Sequence, residues 1–397
     1  MRIPRQRDWN KMVTEISDRV RGQFEALYRR RAEVVVAAPG RVNFIGEHVD
    51  YNGGWVLPAA IDRCLAMAVA PRADGRIRVA SANFQGTFEF RREDIAPGCA
   101  TNWSRYVLGV VAGLSRAGHR VPGFDACVAS EIPVGGGLSS SAALEAATGI
   151  AVMALAGEEV DRFGLATLCQ RAEHEFAGVP CGIMDQAAVL CCEQGNLLLL
   201  DCQSNQFSQV PLPAVDWSLV VIDSGVSHEL ASGEYARRRA ACEQAAGILG
   251  VPSLRHVAEG ELEDALGSPT LSDEMRRCVR HVVTENARTL ECVAALRAGD
   301  FPAAGRLLGA SHASLRDDYR VSCDELDGIV DIAQHLAPVA GCRMTGGGFG
   351  GSCIALVRRA EAAAVMREVG ERFRARFGRD PKSFATAASA GARLIAP

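Results

Sequence analysis

The sequence predicts two α+β domains in tandem, residues 1–211 and 212–397. Three observations predict them. A chain of 397 residues exceeds what one hydrophobic core ordinarily spans. Strand-like and helix-like stretches are interleaved in both halves. A break separates the halves near Pro211 to Asp216.

In chain order, residues 12–31 pattern as an amphipathic helix and "EVVVAAP" (33–39) as a strand. "CLAMAVA" and "RIRVASA" follow as β-branched or alternating strand runs. A helix is expected over 103–117. "FDACVAS" is a strand that feeds a glycine loop. Helices are expected at 139–156 and 161–177, and short buried strands at "NLLLLD" and "WSLVVID". From Ala231 the pattern is mainly helical, at 231–248, 273–298, 302–313 and 323–336. Strands near 341–345 and 353–358 flank "GGGFGG". A helix over 360–376 and a last strand near 383–387 complete the chain.

Composition excludes several function classes. The net charge of 43 − 47 = −4 offers no broad basic field for nucleic acid. No apolar run reaches a membrane span. The start, "MRIPRQRDWNKM", lacks the apolar core of an export signal. The 14 cysteines form no C-x-x-C pair, which argues against a zinc cage. The expectation is a cytoplasmic protein with reduced, mostly buried thiols. Lysine occurs only at Lys11 and Lys382. A mechanism that needs a lysine at a phosphate has almost nowhere to find one.

"EIPVGGGLSSSAALEAATG" (131–149) runs from a strand through three glycines into a helix. Amides at a helix N-terminus suit an anion, above all a phosphate, and the serines add hydroxyls for it or for Mg²⁺. The plainer alternative is a glycine turn and a serine-capped helix. Familiar phosphate loops do not fit. A Walker A loop and a protein kinase each need a lysine that is missing. "GGGFGG" (346–351) matches G-x-G-x-x-G but leads into a strand-like run, so the dinucleotide reading fails its context. G-x-S-x-G is absent.

"PVGGGLSSSA" (133–142) instead resembles the nucleotide loop of the GHMP kinase superfamily, which holds ATP phosphates without a Walker lysine. "PGRVNFIGEHVDYNGGWVLP" (39–58) resembles the signature of its galactokinase family. Physically, Glu47, His48 and Asp50 crowd polar groups at close spacing, as a polyhydroxylated ligand requires; a solvated turn at "DYNGG" is the alternative. "NWSRYVLGVV", "CGIMDQAA", "SHELASGEYARRRAACE", "HVVTENART", "SHASLRDDY" and "RMTGGGFGGS" extend the resemblance over most of the chain. It departs at Val49, where threonine is usual, at Ser352, where glycine is usual, and in a plainer tail.

The resemblance implies a first domain like the second domain of ribosomal protein S5, a ferredoxin-like second domain, and an active site in the cleft between. It implies ATP-dependent phosphorylation of the anomeric hydroxyl of D-galactose, with Mg²⁺. Asp185 would accept or orient the hydroxyl proton, and Arg41 would lie against Asp185 and the γ-phosphate. Glu47, His48, Asp50, Gly182 and Tyr235 would meet the sugar. Trp103 and the loop Gly135, Gly136, Gly137, Leu138, Ser139, Ser140 and Ser141 would meet ATP. Ser141 and Glu173 would hold the metal. Each has an ordinary alternative: a helix-capping Asp185, a core-packing Trp103, a boundary Glu173 with a solvated head. Arg237 to Arg239 pattern as a solvated helix face. A kinase for N-acetylgalactosamine or arabinose, and a galactose- and ATP-binding regulator without turnover, are the rival functions. Retention of Ser141-Ala142 favours an enzyme.

Overall fold

The computed structural model describes residues 9–133, 135–212, 216–227 and 231–395. The first half contains α1 (Trp9–Tyr28), β1 (Val34–Asn43), β2 (Trp55–Val56), β3 (Pro58–Arg72), β4 (Arg76–Ser81) and β5 (Thr87–Arg91). It continues with α2 (Ser104–Arg116), β6 (Gly123–Ser130), α3 (Ser140–Ala156), α4 (Arg162–Ala172), α5 (Met184–Cys191), β7 (Asn196–Asp201) and β8 (Phe207–Pro211). The second half contains β9 (Trp217–Ser227), α6 (Ala231–Leu249), α7 (Leu262–Leu266), α8 (Asp273–Arg297), α9 (Phe301–Asp317) and α10 (Asp324–Gln334). It ends with β10 (Val339–Thr345), β11 (Gly350–Arg358), α11 (Ala362–Phe377), β12 (Lys382–Thr386) and β13 (Arg393–Ile395). Among the described residues no helix is long and apolar enough to cross a membrane.

A six-stranded sheet, ordered β13-β1-β3-β6-β4-β5, carries the first half. Its side chains alternate between two cores, as strand geometry requires. Val35 and Ala37 of β1, with Cys64, Ala66 and Ala68 of β3, pack under α1. Val36 and Ala38, with Leu65, Met67 and Val69, face the other core. There α3 packs on β1 and β3 and is covered by α2, α4 and α5. A helix buried on every side needs apolar residues all round, which explains the alanine-rich sequence after the glycine loop.

The second half has an antiparallel sheet ordered β10-β11-β9-β12. Renumbered within this half, the order is 2-3-1-4, that of a ferredoxin-like domain. Helices α6 to α10 fill the first crossover and α11 the second.

The observed bounds differ from the expected ones mostly by a few residues. Besides β13, five short elements were not expected: β2, β5, β8, α5 and α7. The strand near 383–387 is not the last. β13 follows it and pairs with β1, so the chain's tail returns to the first sheet. The division at 211/212 is our proposal for the two domains, with this one strand crossing it; residues 213–215 of that junction lie outside the described residues. The 14 cysteines are free; Cys99 is exposed and the others are buried or partly so.

Candidate active site

The turn after β1 is held from the second half of the chain. Glu285 of α8 is fully buried. Its carboxylate accepts the amides of Gly46 and Glu47, the Ser311 hydroxyl and Arg288 Nε. His281, one turn earlier, bonds the Glu47 carbonyl at 3.0 Å. Asn286 accepts the Trp55 amide at 2.8 Å. Arg343 of β10, also fully buried, donates to the Glu47 carboxylate at 2.7 Å and to the carbonyls of Asn43 and Phe44. Burial raises the pKa of Glu47, and Arg343 opposes that rise. The motif "HVVTENART" is thus the clamp of the sugar-type turn.

His48 takes a left-handed φ of 60°, which turns its ring inward. Nε2 lies 3.2 Å from the Gly347 carbonyl and Nδ1 2.9 Å from the Tyr51 hydroxyl. A carbonyl only accepts, so Nε2 carries the hydrogen and Nδ1 accepts from Tyr51. Tyr51 in turn meets Tyr319, which meets Cys242. Burial, with His281 nearby, pushes the His48 pKa down to about 3, so the ring is neutral. Both of its nitrogens serve the protein, and the ring itself lines the pocket.

Arg41, near the end of β1, makes a two-pronged ion pair with Asp185 in the first turn of α5. Nε donates to Oδ1 at 2.7 Å and Nη2 to Oδ2 at 2.8 Å. Arg41 Nη1 donates to the Gly137 carbonyl at 2.5 Å. Ser139, at a φ of 57°, does not cap α3; its hydroxyl donates to Asp185 Oδ2 at 2.5 Å. The α3 N-terminus is therefore free of any side-chain cap, which leaves its first amides for a ligand. Asp185 does not cap α5 either. Arg41 and Asp185 so join the glycine loop to a pocket of about 160 Å³ lined by Glu47, His48, Asp50, Gly182, Asp185 and Tyr235. A Cβ on Gly182 would collide with the Asp50 carboxylate; the glycine is there for Asp50. Burial and Asp185 raise the Asp50 pKa to about 7.

Glu173 opens a single π-helical turn, Glu173–Ala177, of the kind that often marks functional sites. It is buried rather than a solvated boundary residue. Gln186 Nε2 donates to its Oε2 at 2.7 Å, and the neighbouring Ser141 hydroxyl works against the rise of its pKa. Burial, then Asp185, raise its pKa to about 7. Beside the same loop a second pocket, of about 250 Å³, is lined by Trp103, Tyr106, Phe84, Ser140, Ser141 and Leu144.

Of the expected residues, Arg41, Glu47, His48, Asp50, Glu173, Gly182, Asp185 and Tyr235 line the first pocket and Trp103, Ser140 and Ser141 the second, while Gly135 to Ser139 line neither. Val49 is fully buried, clear of both. Ser352, where glycine is usual, makes a bond of its own: its hydroxyl donates to the Gly136 carbonyl at 2.8 Å, so "GGGFGGS" latches the glycine loop. The arginine run is not a uniform solvated face. Arg238 is buried and donates to the Tyr319 carbonyl and Glu274, and Arg239 reaches the Pro180 carbonyl. Val134 and residues 228–230 of the quoted motifs lie outside the described residues. Arg343, Glu285, His281 and Tyr319 were not singled out from the sequence. Their only signal was charge or polarity inside otherwise apolar strand and helix patterns.

The fold and the uncapped glycine loop define a kinase of the GHMP class. Family models agree: residues 105–193 match the GHMP kinases N terminal domain and 292–375 the GHMP kinases C terminal domain. Residues 22–71 match the galactokinase galactose-binding signature. A galactokinase of Streptomyces coelicolor is 47% identical over 97% of this chain and 100% of its own. The human galactokinase is 44% identical over 91% and 93%. The crystal structure of Lactococcus lactis galactokinase complexed with galactose superposes with a TM-score of 0.91 at 33% identity, covering 95% of this chain and 99% of its own. The Methanococcus jannaschii mevalonate kinase, at 18% identity and a TM-score of 0.64, shares the fold. This chain belongs to the galactokinase family.

Proposed function

We propose that the enzyme binds D-galactose in the pocket lined by Glu47, Asp50 and Asp185 and transfers the γ-phosphoryl group of ATP to its anomeric hydroxyl. Galactose phosphorylation at the expense of ATP is the activity its family membership carries. The observation that supports these residue roles is the Arg41–Asp185 pair, which touches both the sugar-sized pocket and the glycine loop.

A carboxylate offers about four lone-pair directions. Arg41 and Ser139 occupy three of those on Asp185. One direction is left, which suits a single sugar hydroxyl. Asp185 holds that hydroxyl in line and takes its proton as the bond to phosphorus forms. Arg41, held by Asp185 and Gly137, offsets charge on the transferring group. The α3 amides and Ser140 cradle the phosphates, and the base lies against Trp103 and Tyr106.

Among the described residues no three His, Cys, Asp or Glu side chains gather as a metal cage. A divalent ion carried in on ATP needs less than a cage. Mg²⁺ keeps waters and phosphate oxygens and takes only one or two protein oxygens. The Ser141 hydroxyl and the neighbouring Glu173 carboxylate are hard donors of the right type. Bound there, Mg²⁺ would neutralise phosphate charge. The reading includes a cytoplasmic location, where ATP and Mg²⁺ are abundant.

The test is Asp185→Asn, which keeps the shape and removes the base. The variant should fold and bind galactose, with kcat lower by about 10²–10⁴-fold. A folded variant with near-normal kcat would sink the assignment.

A further inference from the structure

Beneath the proposed metal ligands lies a polar cluster that the reaction as described does not use. Glu145 sits one helical turn after Ser141 on α3 and is completely buried. A carboxylate in that position is costly unless it is bonded. Its Oε2 accepts from Gln186 Nε2 at 3.3 Å. Its Oε1 has no hydrogen-bond partner, and neither has Gln186 Oε1. The same Gln186 amide nitrogen bonds Glu173 Oε2. Gln186 also follows Asp185 directly.

One amide group therefore ties together three elements. α3 carries Ser141 and Glu145, the π-helical turn carries Glu173, and α5 carries Asp185 and Gln186. Gln186 has two N–H hydrogens. Turning its amide breaks the contacts to both glutamates at once. Glu145 thus holds the Gln186 amide, and Gln186 holds Oε2 of the Glu173 carboxylate. A core position filled by leucine would pack as well and leave no orphaned oxygen. The polar choice, buried and incompletely satisfied, calls for a role other than stability.

We propose that Glu145 is a positioning residue for the metal–nucleotide half of the site, acting through Gln186 to aim the Glu173 carboxylate. The inference rests on the reading that Ser141 and Glu173 face the metal. Glu145 touches neither substrate nor phosphate.

The test compares Glu145→Leu, Glu145→Gln, Gln186→Met and Glu173→Gln with the parent enzyme. Mn²⁺ is the probe, as its binding with ADP can be followed by electron paramagnetic resonance without turnover. Metal-free ADP and galactose affinities are measured alongside by calorimetry. Glu145→Leu and Gln186→Met should each weaken Mn²⁺·ADP by about ten-fold or more, with metal-free ADP and galactose within about two-fold, consistent with a Glu173 carboxylate no longer held in place. Glu145→Gln keeps an oxygen for Gln186 and should stay within about three-fold of the parent. Unchanged Mn²⁺·ADP binding in Glu145→Leu, or equal losses for all three ligands, overturns the proposal. If Glu145→Leu does not fold, Gln186→Met decides the question on the same criteria. If Glu173→Gln itself leaves Mn²⁺·ADP binding unchanged, the metal reading fails; if only Glu173→Gln weakens it, the metal reading stands and the role of Glu145 falls.

Discussion

Asp50 shows how one residue joins recognition to ionisation. Its carboxylate lies against Gly182 in the sugar-sized pocket and meets the Tyr51 amide. Burial and the neighbouring Asp185 raise its pKa from an ordinary 3.8 to about 7. The folded chain therefore holds a proton there that the unfolded chain has lost. Stability from this group is present below pH 3.8 and drains away as the pH rises through about 7. Asp50→Asn has no such charge to bury. The variant should match the parent at about pH 4 and exceed it at about pH 8, by on the order of 1–3 kcal/mol. Denaturant unfolding of both without sugar checks this; an equal difference at the two pH values would remove Asp50 as the cause. Activity should move the other way. An ionised Asp50 accepts sugar hydroxyls, so kcat/KM for galactose should rise toward about pH 7 in the parent. This rise should disappear in the far weaker Asp50→Asn.

At the scale of elements, two glycine-rich segments more than 200 residues apart in the chain become one structure. The Gly136 carbonyl meets Ser352, and a Cβ on Gly346 would press on the Gly137 carbonyl. The glycine loop is thus braced by the turn before β11. Ser352→Ala removes one hydrogen bond, worth about 1 kcal/mol. KM for ATP should rise about five-fold while KM for galactose stays level. A change confined to galactose would place the latch elsewhere. The loop itself was legible in the sequence because a run of glycines and serines between a strand and a helix has few uses. So was "GEHVDY", since polar groups at that density are rare in a β-turn. What braces them was not. Glu285 and Arg343 occur in runs that pattern as ordinary helix and strand, and nothing local says that their partners lie 239 and 296 positions away. The short β2, β5 and β8 were missed for a related reason. Two to five residues give no periodicity to detect, and their pairing partners supply the structure.

At the scale of the whole molecule, the division of the chain and the division of the site do not coincide. The proposed sugar pocket is lined in part by the turn after β1, yet that turn is held by α8 and β10 of the second half. Thr345 both accepts the Asn43 amide and donates to its carbonyl. The tail runs back the other way: Ser389 bonds the Ile61 carbonyl and β13 pairs with β1. Two halves that exchange a strand and share buried charge pairs have little chance to unfold separately. The expectation is a single calorimetric transition, since the larger hydrophobic core runs through both halves. Galactose, if it binds as proposed against a turn clamped from both halves, should move the whole transition. At about one hundred times its dissociation constant it should add about 2.7 kcal/mol of stability, without splitting the peak. Glu285→Gln should weaken the clamp. Burial alone would raise the pKa of this carboxylate, but Arg288 and His281 outweigh it and hold the value down at about 2; the variant loses that charge while the two backbone amides remain. In that variant galactose affinity should fall, and the transition should broaden or divide. Two separate transitions in the parent enzyme, with galactose shifting only the earlier one, would mean that the halves are independent and that the clamp carries no coupling.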